Sequence, residues 1–244
     1  MEPTKADLLA HLEDVPALVE VRGLLRRRGT SLVMGEGRPP AGFVLAPEHD
    51  LAAGFGAPEP GLADRLAEAA RRADVDRASL RLRAEPGVME AWCAAGAARS
   101  AGGVEVLSWA GSSGELVALS ERHEVQLVEE GDAMAGDLPA AMRRELEALE
   151  SWPAAAVALA GGEPVALAYA FVETEGLWDV SVETEAPFRR EGFGACAAAA
   201  LMLEQARAGR SAVWSVASTN APSLALAERL GFVPAARWAD GRLA

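Results

Sequence analysis

The sequence predicts an α/β (α+β) protein built on a mixed sheet, with one domain over residues 1–114 and a second over 115–244. Three observations predict it. Short apolar segments with strand-like alternation recur between stretches of helical spacing. Three such segments, in AAVALAGGEPVALAYAFVE and LWDVSVET, follow one another as a meander. The cluster Gly111, Ser112, Ser113, Gly114 separates two sets of elements and reads as a hinge. A chain of 244 residues, half of them apolar, can bury the core that two small domains need.

In chain order, helical spacing runs from about Lys5 to Arg28 with a break near Pro16, followed by strands at Ser31 to Met34 and Gly42 to Leu45. A turn at GFGA, Gly54 to Ala57, then feeds the helix in PEPGLADRLAEAARRAD. ASLRLRAE alternates as a strand, VMEAWCAAG is a short helix, and VEVLSWA closes the first half as a strand. In the second half VQLVEE is a strand, and DLPAAMRRELEALESW a helix with Asp137 as its cap and Pro139 in its first turn. The meander follows. FRREGFGACAAAAL leads into a helix ending near Gly209, then come the strand AVWSVAS, the helix PSLALAERLG and a terminal FVPAARW.

Composition narrows the function. A net charge of -13 and a pI near 4.8 argue against nucleic acid, whose binders gather Lys and Arg on one face. No apolar run reaches the about 20 residues that span a bilayer, so no membrane partner is expected. MEPTKADLLAHLED lacks the basic start and apolar core of a secretory signal, and a cytoplasmic protein is expected. Cys93 and Cys196 have no metal-ligand spacing and His11, His49 and His123 are scattered, so no metal is assigned.

GFGA occurs twice, at Gly54 to Ala57 and at Gly192 to Ala195, and each copy is followed by a helix, a strand, a short helix and a glycine exit. Duplication and chance both account for this. If the halves are duplicated, the first has degenerated: Leu51 stands where Arg189 stands, and Pro58 and Pro60 enter the turn. The second copy has the makings of an anion site, because a helix N-terminus presents unsatisfied N–H groups and glycines let the backbone curl around a phosphate. Arg189 and Arg190 add charge-assisted donors.

Arg189, Gly192 and Gly194, the preceding strand DVSVETEAPF, the following AVWSVAS, and Asn220 with the pair Gly231-Phe232 in NAPSLALAERLGF together resemble the GNAT superfamily of N-acetyltransferases. The resemblance covers roughly Val125 to Trp238. It implies a GNAT fold, a mixed and mostly antiparallel sheet flanked by helices, preceded by a smaller α/β domain. It also implies acetyl-CoA as acyl-donor cosubstrate and a small-molecule or peptide amine as acceptor. The backbone of Val182 and Thr184 would then pair with the pantetheine arm. Arg189, Arg190, Glu191, Gly192, Phe193, Gly194 and Ala195 would take the pyrophosphate, with Asn220 and Ser223 near the sulfur end. Asn220 is equally well read as a helix cap, and Val182 as a core strand residue.

The tyrosine that many family members use as general acid falls here at Ala227, and the glutamate that some use as base falls at Ser215. A thiol of pKa about 8.5 still leaves tolerably as thiolate, but an alkylammonium of pKa about 10.4 needs a proton acceptor. Asp179 and Glu183, on one face of the strand by alternation, are the catalytic candidates, with Glu173 and Glu175 behind them. Tyr169 is read as a core aromatic with one bonded hydroxyl, or as a cleft residue; Trp152, Trp178 and Trp214 as core or pocket lining. Because the acid and base positions are empty, a catalytically inactive acyl-CoA-binding module is the alternative to an active acyltransferase.

Overall fold

A computed structural model describes residues 4–35, 41–56, 59, 61–76, 78–149, 152 and 154–244. The elements of the first half are α1 (Lys5–His11), α2 (Val19–Arg26), β1 (Ser31–Met34), β2 (Gly42–Ala46), β3 (Leu51–Phe55), α3 (Leu62–Arg72), β4 (Arg81–Ala84), α4 (Pro86–Ala94) and β5 (Ala98–Trp109). Those of the second are α5 (Ser113–Ser120), β6 (Glu124–Val128), α6 (Ala133–Asp137), α7 (Ala140–Glu147), β7 (Ala155–Ala160), β8 (Glu163–Glu173), β9 (Leu177–Thr184), α8 (Phe193–Arg207), β10 (Ser211–Ala217), α9 (Ala221–Arg229) and β11 (Phe232–Leu243). Two compact units result. Unit 1 comprises Met1–Val106, Val216–Ala221 and Ala235–Ala244, and unit 2 comprises Leu107–Ser215 and Pro222–Pro234.

In unit 1, β1, β2 and β3 pair antiparallel, β3 runs parallel to β4, and β4 pairs antiparallel with the end of β11, from Ala239↔Ala84 to Arg242↔Arg81. The spacing of LADRLAEAARR explains how α3 docks: Leu62, Leu66 and Ala70 recur every four residues and are buried together with Phe43, Leu45, Leu82, Trp92 and Leu243. Pro16 opens a 3-10 turn at Pro16–Leu18 and separates α1 from α2, as the sequence implies.

The first GFGA is a correction. Gly54 and Phe55 are not a turn but the end of the buried strand β3, whose Leu51, Ala52 and Ala53 are each no more than 1% exposed. A Cβ on Gly54 would lie 2.8 Å from Phe43 Cε1, so this glycine serves strand packing. Ala57, Pro58 and Pro60, which entered the comparison of the two copies, lie outside the described residues.

In unit 2, β6, β7, β8 and β9 pair antiparallel in sequence order, and β9 runs parallel to β10. The meander stands as expected, with β6 on its outer side. Cross-strand partners share a face, and the two faces differ in size. One carries Val157, Leu167 and Tyr169, buried under Met142 and Leu146 of α7. On the other, Ala156 pairs with Ala168 and Ala158 with Ala166, all fully buried, and α8 packs against β7 and β8. A floor of methyl groups admits a helix closely only if the helix is equally small, which is why α8 reads ACAAAAL.

Three details differ from expectation. The helix foreseen from Asp137 starts later and is shorter: Asp137 ends α6 instead of capping a helix, Leu138 is extended because a residue before proline avoids helical geometry, and α7 begins at Ala140 with Pro139 as its N-cap. The glycine-serine hinge contains a helix start, where Ser112 and Glu115 form a reciprocal capping box on α5. The last strand extends to Leu243. Among the described residues no helix is long and apolar enough to cross a membrane.

Candidate functional site

The site grows from the junction of β9 and α8 in unit 2. β9 stays paired with β8 through Thr184, whereas its register with β10 covers only Leu177 to Asp179. Beyond that point the Asp179 carboxylate accepts the Ser215 N–H at 2.9 Å, standing in for the next ladder bond. On β8 the register shifts between Ala170 and Val172. Val180 to Thr184 therefore lie where the paired register of β9 and β10 has ended, while their pairing with β8 continues.

At the end of β9 the chain makes a 3-10 turn over Ala186–Phe188 and then a tight loop. Arg190 has φ +68° and Gly192, the N-cap of α8, φ +100°. Two left-handed residues within three positions turn the chain sharply into the start of the helix. The first helical bond is Cys196 N–H to Gly192 O at 2.9 Å. Phe193, Gly194 and Ala195 thus occupy the first turn, whose N–H groups have no intrahelical acceptor. Gly194 has a separate reason to be glycine: a Cβ there would meet Thr184 Oγ1 at 2.8 Å and Val182 Cγ1 at 3.1 Å. The helix start lies directly on the strand, so the N–H groups of the first turn of α8 and the backbone at the end of β9 form adjoining surfaces. Arg189 Nε donates to the Thr184 carbonyl at 3.0 Å, tying the loop to β9, and neither Arg189 nor Arg190 forms an ion pair among the described residues.

The predicted residues separate by face. Val182 and Thr184 pair with Ala168 and Ala166 and lie on the α8 side. Glu183 pairs with Leu167 and Ser181 with Tyr169, on the α7 side. Tyr169, 5% exposed, donates its hydroxyl to Glu145 Oε2 at 2.8 Å. Burial and that bond to Glu145 hold the phenol well above its ordinary pKa, so it stays protonated and acts as a donor. The Glu183 carboxyl is also pushed up, first by partial desolvation and then by the charge of Glu145, with Arg189 opposing. Asp179 and Glu183 are not a matched pair. Asp179 is 4% exposed and serves the Ser215 N–H, while Glu183 faces Glu145.

The remaining candidates have the following partners. Glu173 accepts from Gln205 Nε2 at 3.0 Å and pairs with Arg210 at 3.7 Å. Trp152, Trp178 and Trp214 are buried, and Trp214 donates to Ser223 Oγ at 3.0 Å. Asn220 lies in the Val216–Ala221 stretch grouped with unit 1, its N–H bonded to the Ala217 carbonyl. Ala227 is fully buried. Sequence reasoning missed Glu145 and His123. Glu145 is a polar position on an amphipathic helix with no local mark, and His123 packs on the loop from 68 residues away.

The site therefore sits on a mixed, mostly antiparallel sheet whose parallel strand pair stops short beside a glycine-started helix. Residues 155–239 match the family model described as GNAT acetyltransferase. The chain is similar to a GCN5-related N-acetyltransferase-like protein from Streptococcus suis 89/1591, with TM-score 0.71, 16% identity and 98% of each chain covered. It is also similar to a GCN5-related N-acetyltransferase from Kribbella flavida, with TM-score 0.65, 18% identity and 93% of each chain covered. A putative GNAT-family acetyltransferase from Novosphingobium aromaticivorans aligns with TM-score 0.54 and 16% identity over 86% of this chain and 89% of that one. Comparison with curated proteins gave no match. The chain has the GNAT fold, and residues 155–239 are what resemble the GNAT acetyltransferase family. The first of these likenesses also spans the N-terminal residues that the family model leaves out.

Proposed function

We propose that the protein is an acetyl-CoA-dependent N-acetyltransferase acting on a primary amine, with the cosubstrate held by unit 2. The observation that carries this reading is the cradle at Gly192 to Ala195. It combines positive φ at the N-cap, N–H groups without intrahelical acceptors, two arginines, and a glycine that brings the helix onto the end of β9. Acetyl-CoA supplies an activated acetyl thioester. The loop binds its phosphates, and the backbone of Val182 and Thr184 holds the arm and offers an N–H to the carbonyl oxygen as charge develops there. Glu183, with Glu145 beside it, attracts the acceptor ammonium and takes up the proton that the amine must lose. With alanine at position 227 the sulfur departs as thiolate.

Arg189→Ala is expected to weaken CoA binding by roughly 10- to 100-fold, the effect of losing a charge-assisted contact worth about 1.5–3 kcal/mol. Dephospho-CoA, which keeps the pyrophosphate, should show the same loss by calorimetry at low salt; equal affinities for variant and wild type would remove the arginine from the site.

Turnover is tested by thiol release from acetyl-CoA across a panel of amines. Because the Glu183 carboxyl is raised, it becomes an ionised base only as pH climbs above the ordinary glutamate range. The wild-type rate should show an acid limb there, and the same shift makes this group's contribution to stability decline as pH rises through that window. Glu183→Gln should lower kcat about 100-fold or more, abolish the limb and leave CoA affinity unchanged. An unaltered limb in the variant would assign the proton to another group. Buried Ala227 favours the second reading, an acyl-CoA-binding module without turnover; CoA binding with no thiol release from any amine would select it.

A further inference from the structure

His123, between α5 and β6, reaches the phosphate loop from outside it. Its imidazole stacks on Phe193 with ring centroids 3.9 Å apart and planes inclined by 27°. Its Nε2 lies 3.1 Å from the Glu191 carbonyl oxygen. That oxygen can only accept, so Nε2 carries the proton and donates. The turn that bears His123 is itself fastened to α8: Cys196 Sγ donates to the Ser120 carbonyl at 3.1 Å and lies 3.6 Å from that of His123. The first turn of α8 thus anchors the segment that braces the loop before it.

Across a trans peptide the C=O and the following N–H point in opposite directions. Holding the Glu191 carbonyl toward the imidazole therefore turns the Gly192 N–H away from it. This peptide is the one in the loop with least to resist a flip, because glycine accepts φ of either sign. A flip would exchange a donor for a carbonyl oxygen on the side where an anion sits, replacing attraction with repulsion. The imidazole also closes the space beside Gly192, where a Cβ would stand 3.4 Å from Nε2.

Building on the CoA reading above, we propose that His123 is a positioning residue for the phosphate loop, holding the Glu191–Gly192 peptide with its N–H side toward the pyrophosphate. It acts through the backbone and need not touch the ligand.

The test compares His123→Ala, His123→Gln and His123→Phe in the full chain, using calorimetry with CoA and dephospho-CoA, and thermal shift with pantetheine, which has no phosphate. His123→Ala should weaken both nucleotides roughly tenfold, about 1.4 kcal/mol. Glutamine, whose amide can donate to the Glu191 oxygen, should restore most of the affinity, whereas phenylalanine, which keeps only the stack, should not. The pantetheine shift should be the same in all three. Rescue by phenylalanine rather than glutamine would overturn the proposal, since packing alone would then suffice. So would variants that bind CoA as wild type does, and that result leaves the CoA reading standing. A wild-type protein that binds no CoA defeats both.

Discussion

Gly192→Val is expected to abolish CoA binding while unit 2 stays folded. The N-cap of α8 sits at φ +100°, where a β-branched residue is a steric outlier costing about 1–3 kcal/mol. The added side chain also points at His123 Nε2, 3.4 Å from the new Cβ. The loop can relieve both only by leaving the conformation that gathers its N–H groups, so the binding loss should be on the order of 100-fold or more. The body of α8 is insulated from this, because Ala197, Ala198 and Ala199 are fully buried further along the helix. Calorimetry should find no saturable CoA binding, and circular dichroism a spectrum like that of wild type. An unchanged dissociation constant would put the site elsewhere.

Deleting residues 235–244 is expected to unfold unit 1. The end of β11 is the antiparallel partner of β4 over Ala239 to Arg242, and Leu243 lies in the core with Leu66 and Trp92. Arg83 donates from Nη1 to Glu20 at 2.7 Å and from Nε to Asp240 at 3.0 Å. Glu20 is 4% exposed, and burial holds its carboxyl above the usual range against the pull of Arg83. Removing the segment takes away one carboxylate of this buried network, one edge of β4 and a core leucine together. The combined loss should be on the order of 5 kcal/mol, comparable with the whole stability of a small domain. Urea unfolding and limited proteolysis should show residues 1–106 cut readily in the deletion variant and protected in the full chain; equal protection in both would mean that unit 1 holds without its C-terminal strand.

The repeated GFGA shows what local sequence can and cannot say. In both places the tetrapeptide is the same, yet Gly192 starts a helix and Gly54 lies inside a strand. The difference comes from what precedes each: FRRE is charged and stays at the surface, while LAA is apolar and is drawn into the sheet as β3. The meander, the break at Pro16 and the alanine-rich α8 were legible because each rests on periodicity or a proline. The start of α5 was equally visible in the S-x-x-E of its capping box, but that signal lies hidden among glycines that suggest a hinge. Glu145 beside Tyr169, His123 on Phe193 and Asp240 beside Arg83 join residues 24, 70 and 157 positions apart, and no local pattern marks such pairs. The consequence is specific to the site: the residues of the loop and Glu183 could be picked out in the sequence, whereas His123 on the loop and Glu145 near Glu183 could not.

The most direct test of the account is a calorimetric titration of CoA into the 244-residue protein at two salt concentrations. The expected result is one CoA per chain, bound more weakly at high salt because phosphates meet arginines and helix-end N–H groups. Absence of binding would contradict the assignment of the β9–α8 junction, and two CoA per chain would show that unit 1 holds a second working site.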